Sequence, residues 1–204
     1  MDVDVIFVIG VSGCGKTTVG RQLAARIGYT YKDGDDFHSE SNLAKMKAGI
    51  PLNDEDRMPW LTSIGEYCRT HKNVVISCSA LRVQYRNILR KNVRCRFIFL
   101  NVTSILCESP LNPPSPCCFQ QFYVFLPPDY SSLFLLYSFI FLFLRQLLET
   151  RLRKRVNHFM PTSLLDSQLA TLEGPTKEND VVSITIQEEI PDLIEIILRY
   201  LGYR

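Results

Sequence analysis

The residues best suited to chemistry are residues 10–17, which read Gly-Val-Ser-Gly-Cys-Gly-Lys-Thr. They follow an apolar run and open a helix-patterned segment, which is the context of a phosphate-binding loop. Glycines let the backbone wrap so that successive N–H groups face one anion, and the next helix adds its positive end. Lys16 would reach the β- and γ-phosphates, and the Thr17 hydroxyl would hold Mg²⁺. The pattern predicts a site for a nucleoside triphosphate, ATP or GTP, formed by Gly10, Val11, Ser12, Gly13, Cys14, Gly15, Lys16, Thr17 and Thr18.

A second candidate group is the acidic turn Asp33-Gly34-Asp35, which follows the second predicted strand. Ligands of doubly wound sheets bind outside the carboxyl ends of the strands, where this turn would lie. A carboxylate there could accept the proton of a substrate hydroxyl or help to hold the metal. A solvated acidic turn would have the same sequence, so these residues alone leave both interpretations open.

Arginines form the third group. Arg57 lies between an acidic stretch and a predicted helix, and it could bind a substrate carboxylate bidentately. Arg151 and Arg155 belong to a basic segment, and an arginine that closes over a transferred phosphoryl group stabilises its charge. An ordinary surface ion pair and a solvated basic face are the respective alternatives.

Composition narrows the class of protein. The 204 residues fit one α/β domain with room for an appendage. A net charge of +2, spread along the chain, does not indicate nucleic-acid binding. The acidic N-terminus lacks the pattern of an export signal, and seven cysteines without metal spacing favour reduced thiols in the cytosol.

Hydrophobic periodicity predicts alternating strands and helices. Strands are predicted at residues 2–9, 29–31, 73–78, 94–102 and 181–186. Helices are predicted at residues 17–27, 39–48, 59–71, 79–91, 149–156, 162–172 and 191–201, with Pro59 in a first turn and Ser79 as an N-cap. This order predicts a three-layer α/β/α fold with a five-stranded parallel sheet, in a single domain.

The alternation is interrupted at about residues 104–145, which are rich in proline and phenylalanine. Residues 133–144 are almost continuously apolar, but they are fewer than the roughly twenty that a membrane-spanning helix needs. We therefore expect an insertion and no membrane span.

Several blocks together identify a family. They are residues 10–17; Asp33-Gly34-Asp35 with His38, Asn42, Lys45 and Met46; residues 49–61; Cys78-Ser79-Ala80-Leu81 with Tyr85 and Arg86; His158-Phe159; Ser167-Gln168; and Thr171-Leu172-Glu173. In combination they resemble the gluconate kinases over about residues 3–103 and 147–203. The resemblance implies ATP-dependent phosphorylation of D-gluconate to 6-phosphogluconate, for the pentose phosphate route. It also implies the fold of shikimate and nucleoside monophosphate kinases, a helical lid, and a homodimer.

The resemblance also implies residue roles. Lys16 and Thr17 would serve ATP and Mg²⁺, Asp35 would orient or deprotonate the hydroxyl, and Asp33 would lie nearer the metal. The expected substrate-binding residues are Asp35, His38, Lys45, Arg57, Arg82 and Arg86. The lid arginine would be Arg151 or Arg155.

The chain departs from the family at two places. Arg82 stands where the family usually has lysine, so a compact ammonium group is replaced by a planar guanidinium with several donors. Residues 104–145 lack the local consistency of an evolved segment and resemble translated non-coding sequence, such as a retained intron. Two alternatives remain: a related shikimate- or nucleotide-type kinase, and an impaired variant that binds nucleotide but cannot close its lid.

Overall fold

The chain forms a five-stranded parallel sheet with helices on both faces, as the sequence predicts. The computed structural model describes residues 3–102, 146, 148–150, 163–175, 178–186 and 189–203. The strands are β1 (Val5–Ile9), β2 (Thr30–Asp33), β3 (Val74–Cys78), β4 (Cys95–Asn101) and β5 (Val181–Thr185). The helices are α1 (Lys16–Ile27), α2 (Glu40–Lys47), α3 (Asp54–Thr70), α4 (Val83–Arg90), α5 (Ser163–Thr171) and α6 (Ile190–Tyr200), with a 3₁₀ turn at Gly34–Phe37.

The sheet is built around β1, with the strand order β2-β3-β1-β4-β5. All five residues of β1 are buried, and they alternate between two cores. Ile6 and Val8 pack into the cluster that includes the apolar sides of α1 and α6. The other three β1 side chains pack against α3 and α4, where the rings of Phe7 and Phe97 stack at 4.9 Å. Burial on both faces explains why the β1 sequence is continuously apolar.

Helix α3 begins earlier than the sequence analysis predicts. We expected Pro59 in the first turn, but the helix starts at Asp54 and Pro59 lies within it. A capping box explains the early start: Asn53 Oδ1 accepts a hydrogen bond from the N–H of Asp56, and Asp56 Oδ2 accepts one from the N–H of Asn53. These reciprocal bonds satisfy the first N–H groups of the helix before the proline is reached.

Helix α4, in contrast, begins later than predicted. Ser79 is not its cap, because the helix starts at Val83. The carboxylate of Glu173 instead accepts a hydrogen bond of 2.7 Å from the N–H of Val83. The N–H of Glu173 also donates to the carbonyl of Leu81 at 2.8 Å. The segment after α5 therefore satisfies the N-terminus of α4, where a negative charge is favourable.

Some predictions lie outside the described residues. They are the helix at residues 149–156 as a whole, the insertion at residues 104–145 and the His158-Phe159 block. Among the helices of the described ranges, none combines the length and apolar character that crossing a bilayer requires.

Candidate active site

A cavity lies where the polar segments after β1, β2 and β3 converge. It encloses about 780 Å³, counting the part that is open to solvent. The residues that line it are Ser12, Lys16, Thr17, Asp33, Asp35, His38, Met46, Pro51, Leu52, Arg57, Trp60, Ser77, Ser79, Leu164, Ser167 and Gln168. Most polar members follow the carboxyl ends of parallel strands, which is where ligands bind in open α/β sheets.

The phosphate-binding loop connects β1 to α1 in a conformation that requires glycine. Gly10 has a φ of 143°, and a Cβ there would lie 3.0 Å from the carbonyl oxygen of Leu100 and 2.9 Å from the Sγ of Cys14. Gly15, the N-cap of α1, has a φ of 99°. The loop therefore curls tightly at the positive end of α1. Lys16 Nζ donates a 2.9 Å hydrogen bond to the carbonyl of Val11, which folds its side chain over the loop.

Only part of the predicted nucleotide-binding set lines the cavity. Ser12, Lys16 and Thr17 do so. The other six predicted loop residues, which are not among the lining side chains, are Gly10, Val11, Gly13, Cys14, Gly15 and Thr18. The roles proposed for a glycine loop use backbone N–H groups, so these residues remain candidates for phosphate contact.

Thr17 and Asp33 could hold a metal ion. The Thr17 hydroxyl lies 3.5 Å from Asp33 Oδ2, beside the phosphate loop. Mg²⁺ prefers hard oxygen ligands and takes one or two of them from protein when phosphates and water supply the rest. The pair therefore fits a Mg²⁺–nucleotide. Tyr31 also donates to Asp33 Oδ2, at 3.1 Å. Burial raises the pKa of Tyr31 to about 12, so this hydroxyl keeps its proton at neutral pH.

The 3₁₀ turn after β2 carries Asp35 into the cavity. Within the turn, the N–H of Asp35 donates a hydrogen bond of 3.2 Å to Asp33 Oδ1. Gly34 packs against β3 so closely that a Cβ would lie 2.6 Å from the carbonyl oxygen of Ser77. The Trp60 indole N–H donates to the Gly34 carbonyl at 2.7 Å. The turn is therefore held from two sides, and the two carboxylates take defined places.

His38 is a neutral member of the site. Its ring stacks on Trp60 with centroids 4.4 Å apart, and its side chain is 4% exposed. Burial, with a smaller contribution from the positive charge of Arg57, lowers the pKa of His38 to about 4. Its Nε2 lies 3.9 Å from Asp35 Oδ1. An uncharged imidazole can hydrogen-bond a substrate hydroxyl, but it adds no positive charge.

Arg57 supplies a positive charge to the cavity lining. Its Nη1 donates to the Tyr85 hydroxyl at 3.2 Å, and its guanidinium carbon lies 5.5 Å from the centre of that ring. Tyr85 in turn donates its proton to Asp54. Tyr85 thus positions the guanidinium without neutralising it, and the charge remains suited to a substrate carboxylate.

Three predicted substrate-binding residues lie outside the cavity lining. Lys45 Nζ pairs with Asp56 Oδ1 at 2.6 Å, and Arg82 Nη1 contacts both carboxylate oxygens of Asp54, at 3.1 and 2.8 Å. Arg86 is 0% exposed and binds Glu178 through Nε and Nη2. The prediction for Arg86 conflicts with this arrangement, because a buried guanidinium that is paired with a carboxylate cannot meet a substrate in the cavity.

Several residues that line the cavity have no site role predicted from the sequence. Gln168 is the most informative, since its Oε1 accepts a 2.7 Å hydrogen bond from the N–H of Ser12. Its place in the Ser167-Gln168 block was the available signal. Ser77, by comparison, lies within an apolar strand pattern and offers no such signal. The predicted lid arginines, Arg151 and Arg155, lie outside the described residues.

The chain is similar to proteins named as gluconokinases. It is 35% identical over 201 residues to the probable gluconokinase of Rattus norvegicus, which covers 97% of each chain. It is 35% identical over 193 residues to the thermosensitive gluconokinase of Escherichia coli (strain K12), covering 92% of this chain and 82% of that one. The crystal structure of a gluconokinase from Sinorhizobium meliloti 1021 superposes with a TM-score of 0.70 at 33% identity, covering 98% of this chain and 91% of that one. A family model described as shikimate kinase matches residues 12–107.

Proposed function

The chain belongs to the gluconokinase family, and on that premise we propose that it transfers the γ-phosphoryl group of ATP to D-gluconate. The product would be 6-phospho-D-gluconate. The observation that best supports this reaction is that Arg57 lines the same cavity as the phosphate loop and Asp35. One cavity thus offers a phosphate-binding end, a carboxylate beside it, and a cation suited to an acidic acceptor.

The nucleotide end would use the loop backbone and Lys16. Backbone N–H groups and the N-terminus of α1 would bind the phosphate oxygens. Lys16 Nζ would leave its hydrogen bond to the Val11 carbonyl and donate to a phosphate oxygen instead. Thr17 and Asp33 would hold Mg²⁺. When bound, Mg²⁺ neutralises charge on the β- and γ-phosphates.

The acceptor end would use Asp35, His38 and Arg57. The Arg57 guanidinium would bind the gluconate carboxylate, which sets the terminal hydroxyl toward the phosphate loop. As this hydroxyl oxygen bonds to the γ-phosphorus, its proton passes to the Asp35 carboxylate and the bond to ADP breaks. His38, being neutral, would hydrogen-bond a gluconate hydroxyl.

We propose one kinase domain interrupted by residues 104–145, with Arg151 or Arg155 supplying the lid cation that stabilises the transferred group. We also propose a cytoplasmic location, since a phosphoryl-transfer enzyme of this kind needs cellular ATP. The homodimer is proposed from the resemblance to the family alone. Fractionation of cells and light scattering of the purified chain test these two points.

An ADP-release assay with a panel of acceptors tests the reaction. The purified chain is supplied with ATP and Mg²⁺ and with gluconate, shikimate, a nucleoside monophosphate, or sorbitol, which lacks the carboxylate. We expect turnover with gluconate to exceed that with each of the others. Faster turnover of shikimate or a nucleotide would overturn the proposed acceptor, and nucleotide binding without turnover would favour the impaired variant. Lys16→Ala should abolish turnover.

A matched pair of variants tests Asp35. Asp35→Asn removes the proton acceptor, and we expect kcat to fall by about 10²- to 10⁴-fold. Asp36→Asn is the control, because Asp36 is exposed and lies 3.9 Å from Lys32 at the surface. Equal activity of the two variants would contradict the role of Asp35.

A further inference from the structure

We propose that Tyr31 and Ser77 position the Asp33 carboxylate for the nucleotide-bound Mg²⁺. The inference rests on the proposed function, in which Thr17 and Asp33 are the metal-side pair. Neither Tyr31 nor Ser77 carries a charge or belongs to the phosphate loop. Their contribution is therefore orientation of the carboxylate, and they are positioning residues.

The three side chains share one face at the edge of the sheet. Tyr31 and Asp33 are two residues apart on β2, so their side chains point to the same face. Ser77 is the register partner of Asp33 on the neighbouring strand β3. The Tyr31 hydroxyl lies 3.1 Å from Asp33 Oδ2 and 2.6 Å from Ser77 Oγ. Strand register thus brings the three oxygens together.

The direction of the hydrogen bonds follows from their chemistry. An ionised carboxylate only accepts hydrogen bonds, so the single proton of the Tyr31 hydroxyl goes to Asp33. The same hydroxyl can then only accept from Ser77, which must donate its own proton. The result is a directed chain from Ser77 to Tyr31 to Asp33. Each bond in such a chain polarises the next.

Packing fixes the Tyr31 ring in this position. A Cβ on Gly20 of α1 would lie 2.8 Å from the ring carbon Cε2 of Tyr31, so glycine makes room for the ring. The Arg21 guanidinium carbon lies 5.4 Å from the ring centre. These contacts hold the Tyr31 ring in place, so the position of its hydroxyl is fixed, as a positioning residue requires.

The hydrogen bond from Tyr31 fixes the position of Asp33 Oδ2. This oxygen accepts from Tyr31 and lies within 3.5 Å of the Thr17 hydroxyl. The Oδ1 atom is held by the N–H of Asp35. With both oxygens anchored, the carboxylate has one orientation, and it presents Oδ2 beside Thr17 before a metal arrives. Loss of the Tyr31 hydroxyl would leave Oδ2 with only the longer contact to Thr17, so the orientation of the carboxylate would be less well fixed.

Metal binding tests the inference without relying on turnover. Mn²⁺ serves as the probe, and its dissociation constant in the presence of saturating ADP is measured by electron paramagnetic resonance. Tyr31→Phe keeps the ring and removes the donor. We expect it to raise the dissociation constant for Mn²⁺ by about 10- to 100-fold, as loss of a hydrogen-bond partner of a metal ligand typically does. Ser77→Ala should have a smaller effect, and none in the Tyr31→Phe background, because Ser77 acts through Tyr31.

Tyr29→Phe is the matched control. The Tyr29 hydroxyl donates to the carbonyl of Val3 at 2.8 Å, so this variant also loses a partly buried hydrogen bond. It should leave Mn²⁺ affinity unchanged. Unchanged affinity in Tyr31→Phe, or an equal effect of Ser77→Ala in both backgrounds, would overturn the inference.

The same data separate the inference from the proposed function. No Mn²⁺–ADP binding by the unmodified chain would overturn both. Normal Mn²⁺–ADP binding without gluconate turnover would overturn only the proposed acceptor reaction, and the dependence of Mn²⁺ affinity on Tyr31 would still decide the inference.

Discussion

The N–H of Ser12 donates a 2.7 Å hydrogen bond to Oε1 of Gln168, although 156 positions separate them in the chain. Ser12 belongs to the phosphate-binding loop, and Gln168 belongs to α5. Both residues are buried, and both line the cavity. The bond therefore couples the position of α5 directly to the shape of the loop, in a place where water cannot easily replace the acceptor.

Gln168→Leu tests this coupling. The variant keeps much of the side-chain volume but leaves the Ser12 N–H without its acceptor, which costs about 1–3 kcal/mol of unfolding free energy. We expect that loss in urea unfolding, together with a higher KM for ATP and an unchanged KM for gluconate. Gln84→Leu is the control, because Gln84 is exposed and donates to Asp54. Matching behaviour of the two variants would contradict a special role for Gln168.

Gly34→Ala tests how the acidic turn is held against β3. An added Cβ would lie 2.6 Å from a backbone oxygen of Ser77 and 2.7 Å from the Cβ of Cys78, so the turn must move. We expect a loss of about 1–3 kcal/mol in unfolding free energy and a fall in kcat, since Asp33 and Asp35 flank the glycine. Gly174→Ala is the control, because a Cβ at that position meets nothing within 4 Å. Full activity of Gly34→Ala would show that the turn tolerates displacement.

The fold is predictable from local patterns, because each of these patterns involves only residues that are close in the sequence. The apolar run of β1 and the glycine loop after it suffice to predict a strand and an anion-binding helix start. The helix predicted at residues 39–48 is a similar case: helix α2 begins at Glu40, and the side chain of Ser39 caps it by accepting from the N–H of Asn42. Such signals act over a few residues, so periodicity and composition reveal them.

The features that the sequence did not predict depend on distant partners. Glu173 caps α4 from 90 positions away, and Glu178 neutralises Arg86 from 92 positions away. An arginine in a family block has the same local sequence whether it binds substrate or a buried carboxylate. Only the folded arrangement separates Arg57, which lines the cavity, from Arg86, which does not.

Because of His38, we expect the folded chain to lose stability in mild acid. Its pKa in the folded chain is about 4, below the ordinary value of 6.5, so the fold favours the neutral form. This contribution to stability is complete above about pH 6.5 and is lost as the pH falls toward 4. Between pH 7.5 and 5.0 it should decrease by about 2 kcal/mol. Carboxylates with lowered pKa values, such as Asp54 and Asp56, lose their contribution only at lower pH.

Urea unfolding of the unmodified chain and of His38→Gln at these two pH values checks the prediction. The variant loses the ring stack with Trp60, so it should be less stable at pH 7.5. It has no proton to take up at this position, so the difference between the two proteins should narrow at pH 5.0. A constant difference across this range, or an NMR titration of His38 near pH 6.5, would contradict the prediction.

A buried ion network joins α4 to the segment before β5. Glu178 accepts hydrogen bonds from Arg86 and from Arg90, and Arg90 also reaches Asp180. Burial alone would raise the pKa of Glu178, but the hydrogen bonds and charges of the two arginines hold it below the ordinary value. The Glu178 carboxylate and the two guanidinium groups are therefore ionised at neutral pH, and each compensates the buried charge of the other.

Glu178→Gln should consequently be among the most destabilising single substitutions, because it leaves the buried Arg86 guanidinium without a counter-charge. We expect a loss of about 3–5 kcal/mol in unfolding free energy. Glu195→Gln is the control: its pair with Arg26 is 3.4 Å long with side chains 54% and 61% exposed, and its loss should cost no more than about 1 kcal/mol. Folded Glu178→Gln should keep its KM for gluconate, since Arg86 faces Glu178 and not the cavity. If Arg86→Lys raised that KM while leaving stability unchanged, Arg86 would be a substrate-binding residue after all.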